Sequence, residues 1–343
     1  MVDCSSSSHR RKIYYAYSME VTVINHILVP LDGSALAECV LPHVMAISPA
    51  TNARVTLAHV LEHTHREGRT PAVDPVDWHL QKHELEMYLD QVADRLQKSG
   101  LSVEHTILEG NPAESVIEFA RNNKVDLIAL STHGRSGLSG WNISSVVHKI
   151  VMRSHKSTLL VRAYQSTASS SLEVSYKRLF VGLDCSPRAE YSLPVVMNLA
   201  QYYKSELILG TVIQKPQTIQ RFPLSEEHGE LINQIVEQNH QAVSHYFDQL
   251  HAQFSQKGLE LKTSIAVGDN VVATLHNLAE EANADLVILV AHGHSGERRW
   301  PYGSVTNSFI AYGNTPLMIM QDLSSDEIQL THAELAVKEG RGH

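Results

Sequence analysis

The chain has 343 residues, 43% of them hydrophobic and 19% charged, with 37 acidic against 28 basic side chains and a formal net charge of -9. That length exceeds one ordinary domain of ~100–200 residues and predicts two. The acidic balance, with no basic stripe, argues against a nucleic-acid partner held by phosphate neutralisation.

Residues 1–24 carry Arg10, Arg11 and Lys12, but no apolar stretch or cleavage signal follows them. They are expected to form a poorly ordered leader, with Met19 as an alternative start. Short apolar, β-branched runs near 26–31, 54–60, 102–108, 126–131 and 157–162 predict five strands. Runs such as ILVPL and DLIAL are apolar at successive residues, as strands buried on both faces are, so the sheet is expected to be parallel and covered by helices. Segments such as 78–99 lie between the strands and read as amphipathic helices. Residues 164–176, YQSTASSSLEVSY, are polar and Ser-rich and predict a linker. Five more strands follow near 178–183, 206–212, 260–266, 285–291 and 316–320, with a long helix over 228–256. The tail from 323 is charged and lacks a strand pattern.

The second series repeats the first. HILVPLDGSALAECVLPHV from His26 aligns with RLFVGLDCSPRAEYSLPVV from Arg178, pairing Asp32 with Asp184, Ser34 with Ser186 and Glu38 with Glu190. VDLIALSTHGRSG from Val125 aligns with ADLVILVAHGHSG from Ala284, pairing Gly134 with Gly293, Trp141 with Trp300 and Ser145 with Ser304. Two long blocks in the same order mean a duplicated domain rather than a solenoid of short repeats. The expected fold is α/β: two tandem doubly wound, Rossmann-like domains at 25–163 and 177–322, each a five-stranded parallel sheet flanked by helices.

In such a sheet ligands bind at the carboxyl ends of the strands, where the winding reverses. Asp32 and Asp184 end the first strand of each copy and are placed to accept a hydrogen bond from a ligand hydroxyl or amine. Helix capping by Asp and Ser is the competing reading, and it stays open. After the fourth strand, Thr132-His133-Gly134-Arg135-Ser136-Gly137 leads to Ser144-Ser145, and Ala291-His292-Gly293-His294-Ser295-Gly296 leads to Gly303-Ser304. Glycines let backbone amides approach an anion, and a helix start supplies unpaired N–H groups and a favourable dipole. Neither loop has the Lys of G-x-x-x-x-G-K-[ST], nor does G-x-G-x-x-G follow the first strand. No residue is therefore assigned a catalytic role, and fast phosphoryl transfer is not expected.

Among 21 histidines, His79 and His83 share a helical i, i+4 spacing, with His63 and His65 upstream. They lack H-E-x-x-H or cysteine context, so a solvated helix face is preferred to a metal site. His133 and His292 are expected to fill their turns and bond to backbone. Arg298-Arg299-Trp300-Pro301-Tyr302 is read as packing rather than as a ligand contact. Three cysteines, Cys4, Cys39 and Cys185, with no C-x-x-C pair, fit a reducing cytoplasm, and no apolar run of ~18 residues predicts a membrane helix.

On these residues each copy resembles a universal stress protein (UspA-type) domain, whose signature is G-x-x-G, nine residues, then G-[ST]. Gly293, Gly303 and Ser304 match its last three positions in the second copy, with Val290 at the first. In the first copy Gly134 and Ser145 match, while Ser131 and Ser144 replace glycines. The resemblance implies a stress-response protein that binds ATP, ADP or AMP, with Mg2+ as a candidate companion ion and little or no hydrolysis. It implies an adenine near Asp32 or Asp184 and backbone contacts from Val60 or Val212. It places the phosphates on Gly134, Gly137 and Ser145, or on Gly293, Gly296, Gly303 and Ser304. It also implies domain pairing through the fifth strands, within the chain or in a homodimer. Some members lack the glycine motif and bind no ATP. The first copy leans that way, and Val290 is expected to crowd the phosphates of the second. A slow ATP hydrolase and a scaffold acting through protein contacts are the alternatives.

Overall fold

A computed structural model describes residues 23–62, 75–134, 143–163, 174–216, 226–293 and 301–323. The chain divides into two compact units, one running from Val23 to Ser175 and the other containing Tyr176–His343.

The first unit opens with β1 (His26–Pro30), a short helix α1 (Ala35–Glu38), α2 (Leu41–Thr51) and β2 (Arg54–Leu61). It continues with α3 (Pro75–Lys98), β3 (Val103–Glu109), α4 (Pro112–Asn122), β4 (Leu127–Ser131), α5 (Ser145–Ser154) and β5 (Ser157–Val161). The strands are parallel in the order β3-β2-β1-β4-β5. Chain order reverses between β1 and β4, which is the switch point. β4 and β5 are buried at every residue, their apolar runs together with Ser131, Ser157 and Thr158. The edge strand β3 carries Glu104 and Glu109 outward and is only partly buried.

The second unit repeats this plan: β6 (Arg178–Gly182), a 3-10 turn at Ala189–Ser192, α6 (Leu193–Tyr203), β7 (Glu206–Gln214) and α7 (Glu226–Ser255). β8 (Leu261–Gly268), α8 (Val271–Glu281), β9 (Leu286–Val290), α9 (Ser304–Tyr312) and β10 (Leu317–Met320) complete it. Its strands are again parallel, in the order β8-β7-β6-β9-β10, with the switch point between β6 and β9.

Local chemistry fixes the element ends. Pro112 starts α4, and the Asn111 side chain accepts from the amides of Ala113 and Glu114. Asn270 caps α8 in the same way, through the amide of Ala273. One device recurs at both sheet centres. Asp126 Oδ2 accepts from the amides of Asn25 and His26, and Asp285 Oδ2 from those of Lys177 and Arg178. Each fourth strand is thereby tied to the start of the first, which sets the register from which the ligand-facing ends follow. Among the described residues, no helix is long and apolar enough to cross a membrane.

Candidate functional site

The crevice in each unit is made by two loops, one leaving the first strand and one leaving the fourth. β1 makes its last ladder bond when the Leu31 amide donates to the Ala58 carbonyl at 2.8 Å. The chain then turns through Gly33 at φ 79°. Asp32 Oδ1 accepts from the Ser34 amide at 3.0 Å and the Ser34 hydroxyl at 2.6 Å, and Ser34 Oγ caps α1 through the Ala37 amide. In the second unit Leu183 donates to Gly210, Asp184 Oδ1 accepts from the Ser186 amide, and Ser186 Oγ accepts from Ala189. Capping chemistry is thus present at both turns, and it occupies one oxygen of each carboxylate.

The other oxygen reaches across the switch point. A Cβ on Gly293 would lie 2.5 Å from Asp184 Oδ2, and one on Gly134 would collide with Asp32 Oδ2. The glycine that opens each fourth-strand loop therefore makes room for the aspartate of the first-strand loop. The fold brings Asp32 together with Gly134, and Asp184 together with Gly293.

Val60 and Val212 gain a physical basis from the ladder. The Ala58 carbonyl faces β1, and alternate residues of a strand point their polar groups the same way. The N–H and C=O of Val60, two residues on, therefore face the side from which β1 has already departed. Gly210 and Val212 stand in the same relation to β6.

The helix starts differ between copies. Ser144 is the N-cap of α5, and its hydroxyl accepts from the Val147 amide at 3.3 Å. Gly303 is the N-cap of α9 and provides no side-chain cap. Its φ of -71° is open to any residue, and an added Cβ would come no nearer than 3.7 Å to the Ala291 carbonyl. Ser145 and Ser304 are the first residues of the two helices. Val290 is only 6% exposed, within the core of β9, and its carbonyl accepts from the Thr306 hydroxyl. Gly137, Gly296, Trp141, Trp300, Arg298, Arg299, His63 and His65 lie outside the described residues, as do most of the leader, the linker and the tail.

Both loop histidines are buried, but their imidazoles bond to side chains where backbone partners were expected. His133 Nδ1 lies 3.0 Å from Thr132 Oγ1, and His292 Nδ1 lies 2.8 Å from Asp322 Oδ1. Sequence reasoning passed over Asp322 and its neighbour Arg188. The available signal was a mismatch in the repeat, since Asp322 falls where the first copy has Ala163. His79 and His83 are exposed on α3. Among the described residues no group of three or more His, Cys, Asp or Glu is arranged to hold a metal ion.

A duplicated, doubly wound α/β domain with an aspartate–glycine crevice at each switch point defines a class of ligand-binding folds. Comparison with known proteins specifies it: the Universal stress protein family model matches residues 24–162 and 175–321, and the chain belongs to that family. It is similar to universal stress protein MJ0531 of Methanocaldococcus jannaschii, 26% identical over 44% of this chain and 96% of the relative. Universal stress protein MJ0577 of the same organism is 26% identical over 41% of this chain and 96% of its own length. A universal stress protein structure from Archaeoglobus fulgidus shares the fold, with a TM-score of 0.63 and 17% identity over 88% of this chain and 99% of that one.

Proposed function

We propose that this chain binds an adenine nucleotide, ATP, ADP or AMP, and that the second copy is its principal site. The observation that carries this reading is the bare start of α9. Gly303 leaves the first-turn amides without a side-chain cap, whereas Ser144 caps the matching helix itself. Unpaired amides and the positive end of the helix dipole suit a phosphate. Ser304 adds a hydroxyl at the same place. At the other end of the crevice, the Val212 N–H and C=O form a donor–acceptor pair that matches the polar edge of adenine. Asp184, exposed at the turn between them, is placed to accept from a ribose hydroxyl. Gly293 serves the site by leaving space for that carboxylate. Gly296 belongs to the same loop, and Mg2+ enters on the nucleotide's own phosphate oxygens. In the first copy the matching set is Asp32, Val60, Gly134, Gly137 and Ser145, with Ser144 competing for the anion's place. The loop sequences lack the Lys of a phosphoryl-transfer loop, and the role read here is binding, with occupancy as the signal.

Calorimetric titration of the intact chain with ATP tests this. The expected result is one dominant site in the wild type, weakened at least tenfold in Gly303→Val, whose side chain fills the anion's place without backbone strain. Equal binding by wild type and variant sinks the reading, and so does no binding at all.

A further inference from the structure

Asp322 is a carboxylate whose side chain is 1% exposed, just past the end of β10. Its Oδ1 accepts twice from one residue, from the His292 amide at 3.2 Å and from His292 Nδ1 at 2.8 Å. A carboxylate oxygen accepts only, so Nδ1 of the imidazole carries the proton. Its Oδ2 lies 3.5 Å from Nη1 of Arg188, which belongs to the loop leaving β6. Three segments thus meet on one buried charge: the Asp184 loop through Arg188, the glycine loop through His292, and the end of β10.

The first copy shows what this cluster replaces. There the same histidine is held by hydroxyls of the two residues before it, with Thr132 Oγ1 at 3.0 Å from His133 Nδ1 and Ser131 Oγ 3.4 Å from the His133 amide. The second copy has Val290 and Ala291 at those positions and has lost both hydroxyls. Over the same comparison Leu36 becomes Arg188 and Ala163 becomes Asp322. The acid, the base and the two lost hydroxyls change together, as expected of one device substituted for another. A lone buried carboxylate or a lone buried imidazole is costly, so each member of the cluster requires the others.

We propose that Asp322 is a positioning residue: with Arg188 it locks His292, and through it the glycine loop, against the Asp184 loop, holding the second crevice in its ligand-ready shape. Its bearing on nucleotide affinity rests on the function proposed above. His292 immediately precedes Gly293, whose Cα faces Asp184, so a loosened imidazole lets the two loops part at their point of contact.

The test uses the intact chain without nucleotide, followed by amide hydrogen exchange at residues 290–293, and then ATP titration. Asp322→Ala is expected to speed exchange there at least tenfold and to weaken ATP binding by a similar factor, with Asp322→Asn intermediate. Adding Val290→Ser and Ala291→Thr to Asp322→Ala reinstates the hydroxyls of the first copy and is expected to recover most of both losses, which general core damage would not permit. Should Asp322→Ala fail to fold, Asp322→Asn and Arg188→Leu carry the same comparison. Unchanged exchange in folded variants overturns the proposal, as does a triple variant without recovery. Exchange that responds in a chain taking up no ATP overturns the nucleotide reading and leaves the tie between the loops standing.

Discussion

Glycines that look alike in sequence differ in what their missing side chain permits, and the difference is measurable. Gly210 on β7 faces the ring of Phe180, which is fully buried, and an added Cβ would collide with that ring. Gly293 faces only the end of the exposed Asp184 side chain, a short flexible group rather than a closed ring. Overpacking a closed core costs about 1–3 kcal/mol. Gly210→Ala is therefore expected to lower unfolding free energy by about 2 kcal/mol in urea titration. Gly293→Ala is expected to leave it within about 0.5 kcal/mol while weakening nucleotide binding, because the displaced carboxylate no longer lines the crevice. Equal destabilisation by the two substitutions would contradict the placement of Asp184 against Gly293.

At the level of elements, the strands were legible because a doubly buried parallel strand has no polar face. ILVPL, DLIAL and their partners could form little else, and the observed strands fall within about two residues of the expected ones, the usual blur at element ends. The helix starts were only half legible. Ser144 and Gly303 were visible as residues, but whether Ser144 opposes an anion or serves its own helix depends on a rotamer that places its hydroxyl on the Val147 amide. The Arg188–Asp322–His292 cluster was hidden for another reason. Its members are far apart in the chain and carry no motif spacing; the repeat marks Asp322 and Arg188 as departures from Ala163 and Leu36, and the fold shows that they meet at His292. The cap makes its own prediction. Ser144→Gly removes a hydroxyl at a cost of a few tenths of a kcal/mol, since glycine is itself a tolerated N-cap. It should raise the first copy's affinity for nucleotide, seen as a second binding event in calorimetry. Gly303→Ser, which fits the space available, should do the reverse in the second copy. Should neither substitution move affinity, the cap is not what separates the two copies.

Across the whole molecule, duplication supplies an internal control for acid stability. His43 on α2 is enclosed, and burial pushes its pKa down to about 4. His26, packed between the Thr56 hydroxyl and the Asn123 carbonyl, is also lowered, chiefly by burial. The repeat replaces these two with Val195 and Arg178, while the second copy has its own lowered histidine, His276, stacked on Phe309 where the first copy has Ile117. A histidine whose folded pKa lies below its unfolded value of ~6.5 is kept neutral by folding, so between those values the unfolded chain binds more protons. Stability is then complete above about pH 6.5 and falls as pH drops toward 4, with His43 alone contributing of order 2–3 kcal/mol. His43 and His26 place their share of this loss on the first copy. His43→Val installs the residue the second copy already buries at this position. It is expected to flatten the decline of urea midpoint between pH 7 and pH 4.5 and to leave the unfolding free energy at pH 7 within about 1 kcal/mol of wild type, since the second copy already buries a valine at this position. A pH profile identical in the variant and the wild type would show that acid sensitivity arises elsewhere, in the carboxylates common to both halves.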